Sequence, residues 1–188
     1  VVVQAVRIDD SPAAPWLELV VKPNQWSEVA RKATQSRAQT ESKERHQRFW
    51  AAFLETHRDD SEMFSGRRPA SIQWMSFKTG VRQIGIGLNV QRKRIYADLY
   101  FDDSAETNLA RLDHLKQHQE LIEETFGDSL SWEELEGARA CRIGYYGEGS
   151  LLDEGNWPTF HAWLADVAIR FKRVTELSVF QEMSDITG

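Results

Sequence analysis

The chain has 188 residues, the span of one domain with a short attachment. It is 41% apolar and 28% charged, which excludes wholesale disorder, and its single cysteine excludes an intramolecular disulfide and suits a reducing compartment such as the cytoplasm. The net charge of −6 excludes a uniformly basic nucleic-acid binder, and no apolar run approaches the roughly 20 residues that would make the membrane a partner.

In chain order, VVVQAVRI (1–8) and WLELVVK (16–22) read as strands, with the turn DDSPAAP between them. The chain opens on Val1 without a methionine, so residues 1–36 are expected to be the last strands and linker of an upstream domain. Residues 23–40 look like that linker, with a short helix near Trp26–Ala33. From Thr40 to His57, Phe49, Trp50, Phe53 and Leu54 recur at helical spacing and make one aromatic face. A polar loop follows at 58–69.

Three strands in a meander come next: Ala70–Thr79, Val81–Val90 and Ile95–Phe101. In the second, Ile84, Ile86, Leu88 and Val90 alternate with Gly85 and Gly87, glycines that allow close approach of another group. In the third, Ile95, Ala97, Leu99 and Phe101 alternate with Tyr96, Asp98 and Tyr100. Asp103 or Ser104 caps a helix that runs to Phe126 and ends at Gly127. Leu130–Leu135 and Arg139–Tyr146 form a hairpin, and Gly147–Gly155 is a loop. Asn156 caps a last helix, Trp157–Val174, and the tail from Leu177 has little pattern. The fold expected is α+β, an antiparallel sheet of about five strands with two or three helices on it, occupying 37–176 between the 1–36 segment and a 177–188 tail.

The charge is segregated along the chain. Residues 63–97 hold seven cations, Arg67, Arg68, Lys78, Arg82, Arg92, Lys93 and Arg94, and no acid, whereas 98–188 hold 7 basic and 19 acidic residues. Mixed surfaces normally intersperse the two signs. Two readings are open: the basic segment neutralises acidic helices beside it, or it binds a polyanion. Trp74 lies among these cations, where an aromatic ring either packs in the core or stacks on a base.

No other pattern carries chemistry. His114 and His118 have the i, i+4 spacing of metal ligands but no third ligand near in sequence, so they read as solvated and no metal or other cofactor is expected. Glu18 and Lys22 are spaced acid-x-x-x-lysine, not the acid-x-lysine of a PD-(D/E)xK nuclease strand. Cys141 reads as a buried thiol, and Glu148, Asp153 and Glu154 lack calcium-loop spacing. Trp50 and Trp163 read as core, and Trp157 as an anchor for the start of the last helix. No catalytic motif is present.

The succession RFWAAFLE (48–55), WMSFKTG (74–80), RIYADLY (94–100), WEELEGARACRIGYY (132–146) and WPTFHAWLADVAIRFKRV (157–174) resembles the bacterial and archaeal domain of unknown function 4268 family. The resemblance covers about residues 42–175. Members often follow an N-terminal PD-(D/E)xK-like nuclease domain, and residues 1–28 look like the end of such a domain. The resemblance implies a non-catalytic accessory module of a nuclease-like protein with the upstream domain as partner. The acid-free basic block beside such a domain adds DNA or RNA, and the aromatic-rich helix or sheet edge a second copy of the chain. The candidate nucleic-acid residues are Arg67, Arg68, Trp74, Lys78, Arg82, Arg92, Lys93 and Arg94. The alternative is a protein-interaction or homodimerisation module without nucleic-acid contact.

Overall fold

The computed structural model describes residues 2–6, 14–18, 25–135 and 137–186, in two compact units, Val1–Ser42 and Lys43–Gly188. In the first, β1 (Val2–Val6) pairs antiparallel with β2 (Ala14–Glu18), Val2 opposite Glu18. Pro15, expected in the turn, lies in β2, while the rest of the turn and Lys22 fall outside the described residues.

The segment expected as a linker with a short helix is helical throughout its described part. Residues 25–57 form one continuous 33-residue helix, α1. After Pro23 this stretch contains no proline or glycine and is rich in Ala, Gln, Glu, Lys and Arg, which propagate a helix whatever their polarity. Residues 28–44 are exposed on every face, so their helix has no apolar stripe to betray it. From Lys43 onward, α1 belongs to the second unit. There Phe49, Trp50, Phe53 and Leu54 are at most 1% exposed. The indole Nε1 of Trp50 donates to the Ile72 carbonyl at 2.8 Å, so this large side chain is buried with its one polar atom satisfied.

The second unit is built on a five-stranded antiparallel sheet, in the order β3 (Trp74–Lys78), β4 (Ile84–Val90), β5 (Ile95–Phe101), β7 (Cys141–Gly147), β6 (Ser131–Glu134). The α+β class and the strand number match the sequence expectation. Between β5 and β6 the chain forms α2 (Ala105–Lys116) and α3 (Gln119–Phe126). One helix was expected here; the backbone leaves helical geometry at His118 without a glycine or proline to mark it, so the periodic signal ran straight through. Ser104 is the N-cap, its hydroxyl accepting from the Thr107 amide at 3.1 Å, and Gly127 ends α3 in the left-handed region at φ 87°.

After β7 comes α4 (Trp157–Val174), its bounds as expected. Asn156 precedes it but makes no cap bond; its amide donates to Asp153 instead, at 2.8 Å. The patternless tail is structured. It forms α5 (Ser178–Gln181) and a 3-10 turn, Glu182–Asp185, and it buries Phe180 and Met183 completely. Too short for a periodic signature, it still closes the core.

That core gathers one face of every central strand: Met75 and Phe77, Ile84 to Val90, Ile95 to Phe101, Cys141 and Ile143. Leu112, Leu115, Ile122, Phe126, Leu164, Val167 and Phe171 cover this face from the helices. Since alternate residues of a strand point to opposite faces, the intervening residues form the sheet's other face, and the site lies there.

Candidate functional site

Register aligns these intervening residues into three rows across the sheet. The first is Lys78, Gly85, Tyr100, Arg142 and Glu133; the middle row is Ser76, Gly87, Asp98, Gly144 and Ser131. The third is Trp74, Asn89, Tyr96 and Tyr146. β4 contributes glycine to two rows, so the floor drops there. A half-open groove of about 1030 Å³ lies above it.

At the floor, Asp98 is 2% exposed. Its Oδ2 lies 2.8 Å from the Arg142 Nε, and Oδ1 rests against Gly87. Burial lifts this carboxyl from 3.8 to about 7; the nearby Glu133 adds to the rise, and Arg142 opposes it without winning. Arg142 also faces Glu133 at 3.7 Å and sits over the Tyr96 ring at 5.0 Å. The Tyr146 hydroxyl donates to Glu133 at 2.5 Å, and burial with this bond raises its pKa. A buried carboxyl with a strongly raised pKa beside a charged partner in a groove marks candidate functional ground.

The rim is cationic. Arg67, Lys78, Arg82, Arg139 and Arg142 line the groove against two acids, Asp98 and Asp102. Of the sequence candidates, Arg67, Trp74, Lys78 and Arg82 come together here. Arg67 donates to the Ser76 carbonyl and lies over the Phe77 ring at 5.1 Å. Trp74 is 48% exposed on the groove side, so it is not a core residue. Arg82 sits in the β3–β4 turn, whose Gln83 takes a φ of 60°, and its carbonyl accepts from the buried Arg111 at 3.3 Å.

The other four lie outside the groove lining. Arg94 leans over Tyr96 and Tyr146, 5.2 and 5.5 Å from their ring centres, at the far end of the same face. Arg92 and Lys93 occupy the β4–β5 turn beyond it, and Arg68 is an exposed neighbour of Arg67. All seven cations of the acid-free segment are exposed. None forms an ion pair with any described residue. The acids engage other cations, as in Arg45 and Arg48 with Glu154 at 3.2 and 2.9 Å, or Arg139 with Asp102 at 2.8 Å.

Sequence reasoning missed Asp98, Asn89, Arg139 and Arg142. The alternation of β5 did carry the signal for one of them, a lone Asp between two tyrosines on the face opposite the apolar one. Arg139 and Arg142 were obscured by the acidic half in which they sit. Elsewhere, the rings of His114 and His118 lie 5.5 Å apart, with His114 Nε2 at 3.1 Å from the Val179 carbonyl. Among the described residues no three metal-binding side chains converge. Cys141 is buried, and burial raises its thiol pKa. No helix among the described residues is long and apolar enough to cross a membrane.

Residues 45–178 match the model of a family described as a domain of unknown function, DUF4268. No curated protein and no solved structure matches the chain.

Proposed function

The chain belongs to the DUF4268 family, and we propose that it is a non-catalytic accessory module of a nuclease-like bacterial protein that binds single-stranded nucleic acid on the open face of its sheet. The observation that carries this reading is the set of seven exposed cations without ion-pair partners among the described residues, four groove-side residues of that segment being Arg67, Trp74, Lys78 and Arg82. Cations that no protein carboxylate holds are available to phosphates, and releasing the counterions of a nucleic acid supplies affinity that falls with salt. An aromatic ring half open to solvent beside them supplies a stacking platform that accepts any base. A polar antiparallel sheet face with aromatic and basic side chains suits an unpaired strand better than a rigid duplex.

Binding of a fluorescent single strand, followed by anisotropy across a salt series, tests the proposal. About four phosphate contacts give a slope of log K against log salt near −3. A duplex of the same length is expected to bind more weakly. The competing reading is a homodimer through edge strand β3, favoured by the exposed Ile72 and Trp74, 44% and 48%. A dimer by light scattering together with no salt-dependent nucleic-acid binding would select it.

A further inference from the structure

One exposed ring holds one base, and a strand that crosses the groove needs another. Tyr100 of β5 lines the groove and is partly exposed. Its neighbour on β7, Arg142, stands over one face of the ring, with the guanidinium carbon 5.9 Å from the ring centre. Asp98 at 2.8 Å and Glu133 at 3.7 Å hold that guanidinium in place. The neighbour on the other side is Gly85 of β4, which has no side chain. Ser76 Oγ occupies the level where a Gly85 Cβ would lie, but a tyrosine ring stands well above a serine hydroxyl, so its face toward β4 stays open. Tyr96 differs: it is 4% exposed and packs against Arg94, Arg142 and the Tyr146 ring. Beyond Gly85 in the row of Tyr100 stands Lys78, and Arg82 follows in the turn.

We propose that Tyr100 is a second base-stacking platform, and that a single strand crosses the sheet face diagonally with one base on Trp74 and another on Tyr100. Trp74 is level with Tyr96, four residues before Tyr100, and β3 lies two strands from β5. Those offsets put the two Cα atoms about 16 Å apart. Side chains stand roughly perpendicular to a sheet, so the rings are separated by several times the roughly 3.4 Å between stacked bases. They therefore serve different nucleotides, and the one on Tyr100 has its phosphate beside Lys78 and Arg82. The proposal rests on the nucleic-acid reading above and extends it from a patch to a path, with Trp74 at one end and Tyr100 at the other.

The test is a double-mutant cycle on the two rings, read by anisotropy with a fluorescent oligothymidylate of about 8 nucleotides and the same backbone built from abasic spacers. Tyr100→Ala is expected to weaken thymidylate binding about tenfold with the salt slope unchanged, and Tyr100→Phe, which keeps the ring, to bind as the wild type does. Trp74→Ala is expected to cost about tenfold as well, and the double change about a hundredfold, because each ring holds its own base. All variants are expected to bind the abasic strand equally, which also shows that they are folded. Wild-type affinity in Tyr100→Ala overturns the proposal. So does an equal loss on the abasic strand, which would make Tyr100 a support for Arg142, and so does a double change no weaker than either single one. Salt-dependent wild-type binding with a neutral Tyr100→Ala leaves the nucleic-acid reading standing without the second platform. If the wild type binds neither strand, both fall.

Discussion

Asp98 and Gly87 face each other across β5 and β4, and the carboxylate of the first fills the space where the second would carry a Cβ. The missing side chain therefore does two things: it admits a buried acid to the sheet face and it lowers the groove floor. Gly85 stands two residues away against Ser76, whose Oγ would lie 2.6 Å from an added Cβ. Gly87→Ala must displace a carboxylate already held by Arg142, whereas Gly85→Ala need only rotate a hydroxyl. Urea unfolding is expected to show Gly87→Ala losing about 2 kcal/mol, and Gly85→Ala well under half of that.

Asp98 also makes stability depend on pH. Its pKa is about 7 in the fold and 3.8 without it, so the folded state holds the proton more tightly. The contribution is fully present below the lower value and is lost as pH rises to about 7, a decline of up to about 4 kcal/mol. Asp98→Asn carries no such proton. Urea unfolding from acid to neutral pH is expected to show the variant gaining on the wild type as pH rises, and a constant difference would refute the assignment.

His161 acts in the opposite direction. It is 3% exposed with Nε2 unpartnered, packed on Phe49 at 4.4 Å between ring centres and on Phe53 at 5.8 Å. Burial, helped by the nearby His57, lowers its pKa from 6.5 to about 4. Its contribution is complete above 6.5 and is lost as pH falls toward 4, by about 3 kcal/mol. The two groups act in opposite directions over nearly the same range. His161→Phe is expected to remove the gain in stability between about pH 4 and 6.5, while Asp98→Asn removes the loss between pH 3.8 and about 7.

The tail offers a third stability test. Phe180 and Met183 are fully buried in a segment that no periodicity announced. A chain ending at Leu177 is expected to lose at least about 5 kcal/mol and to melt non-cooperatively by circular dichroism, since each large buried side chain is worth about 2–5 kcal/mol.

What could be read in advance follows from the length and regularity of each pattern. The meander, the α4 boundaries and the Gly127 stop were legible because alternation, helical spacing and a helix-ending glycine all act locally. The first half of α1 was not, since a helix exposed all round has no stripe. The tail helix was too brief. The cations of 63–97 were legible as a charge segment, but their division between groove rim and far turn required the sheet register. Asp98 and Arg142 are 44 residues apart in sequence and meet only because β7 pairs with β5 after the α2–α3 excursion.

Salt dependence of single-strand binding tests the central claim most directly, measured for the wild type and for the triple change Arg67/Lys78/Arg82→Ala, with Arg92/Lys93/Arg94→Ala as the comparison. The wild-type slope is expected near −3, the groove triple is expected to bring it toward about −1, and the turn triple to reduce it by about half as much. Salt-independent binding, no binding, or a groove triple with the wild-type slope would contradict the account.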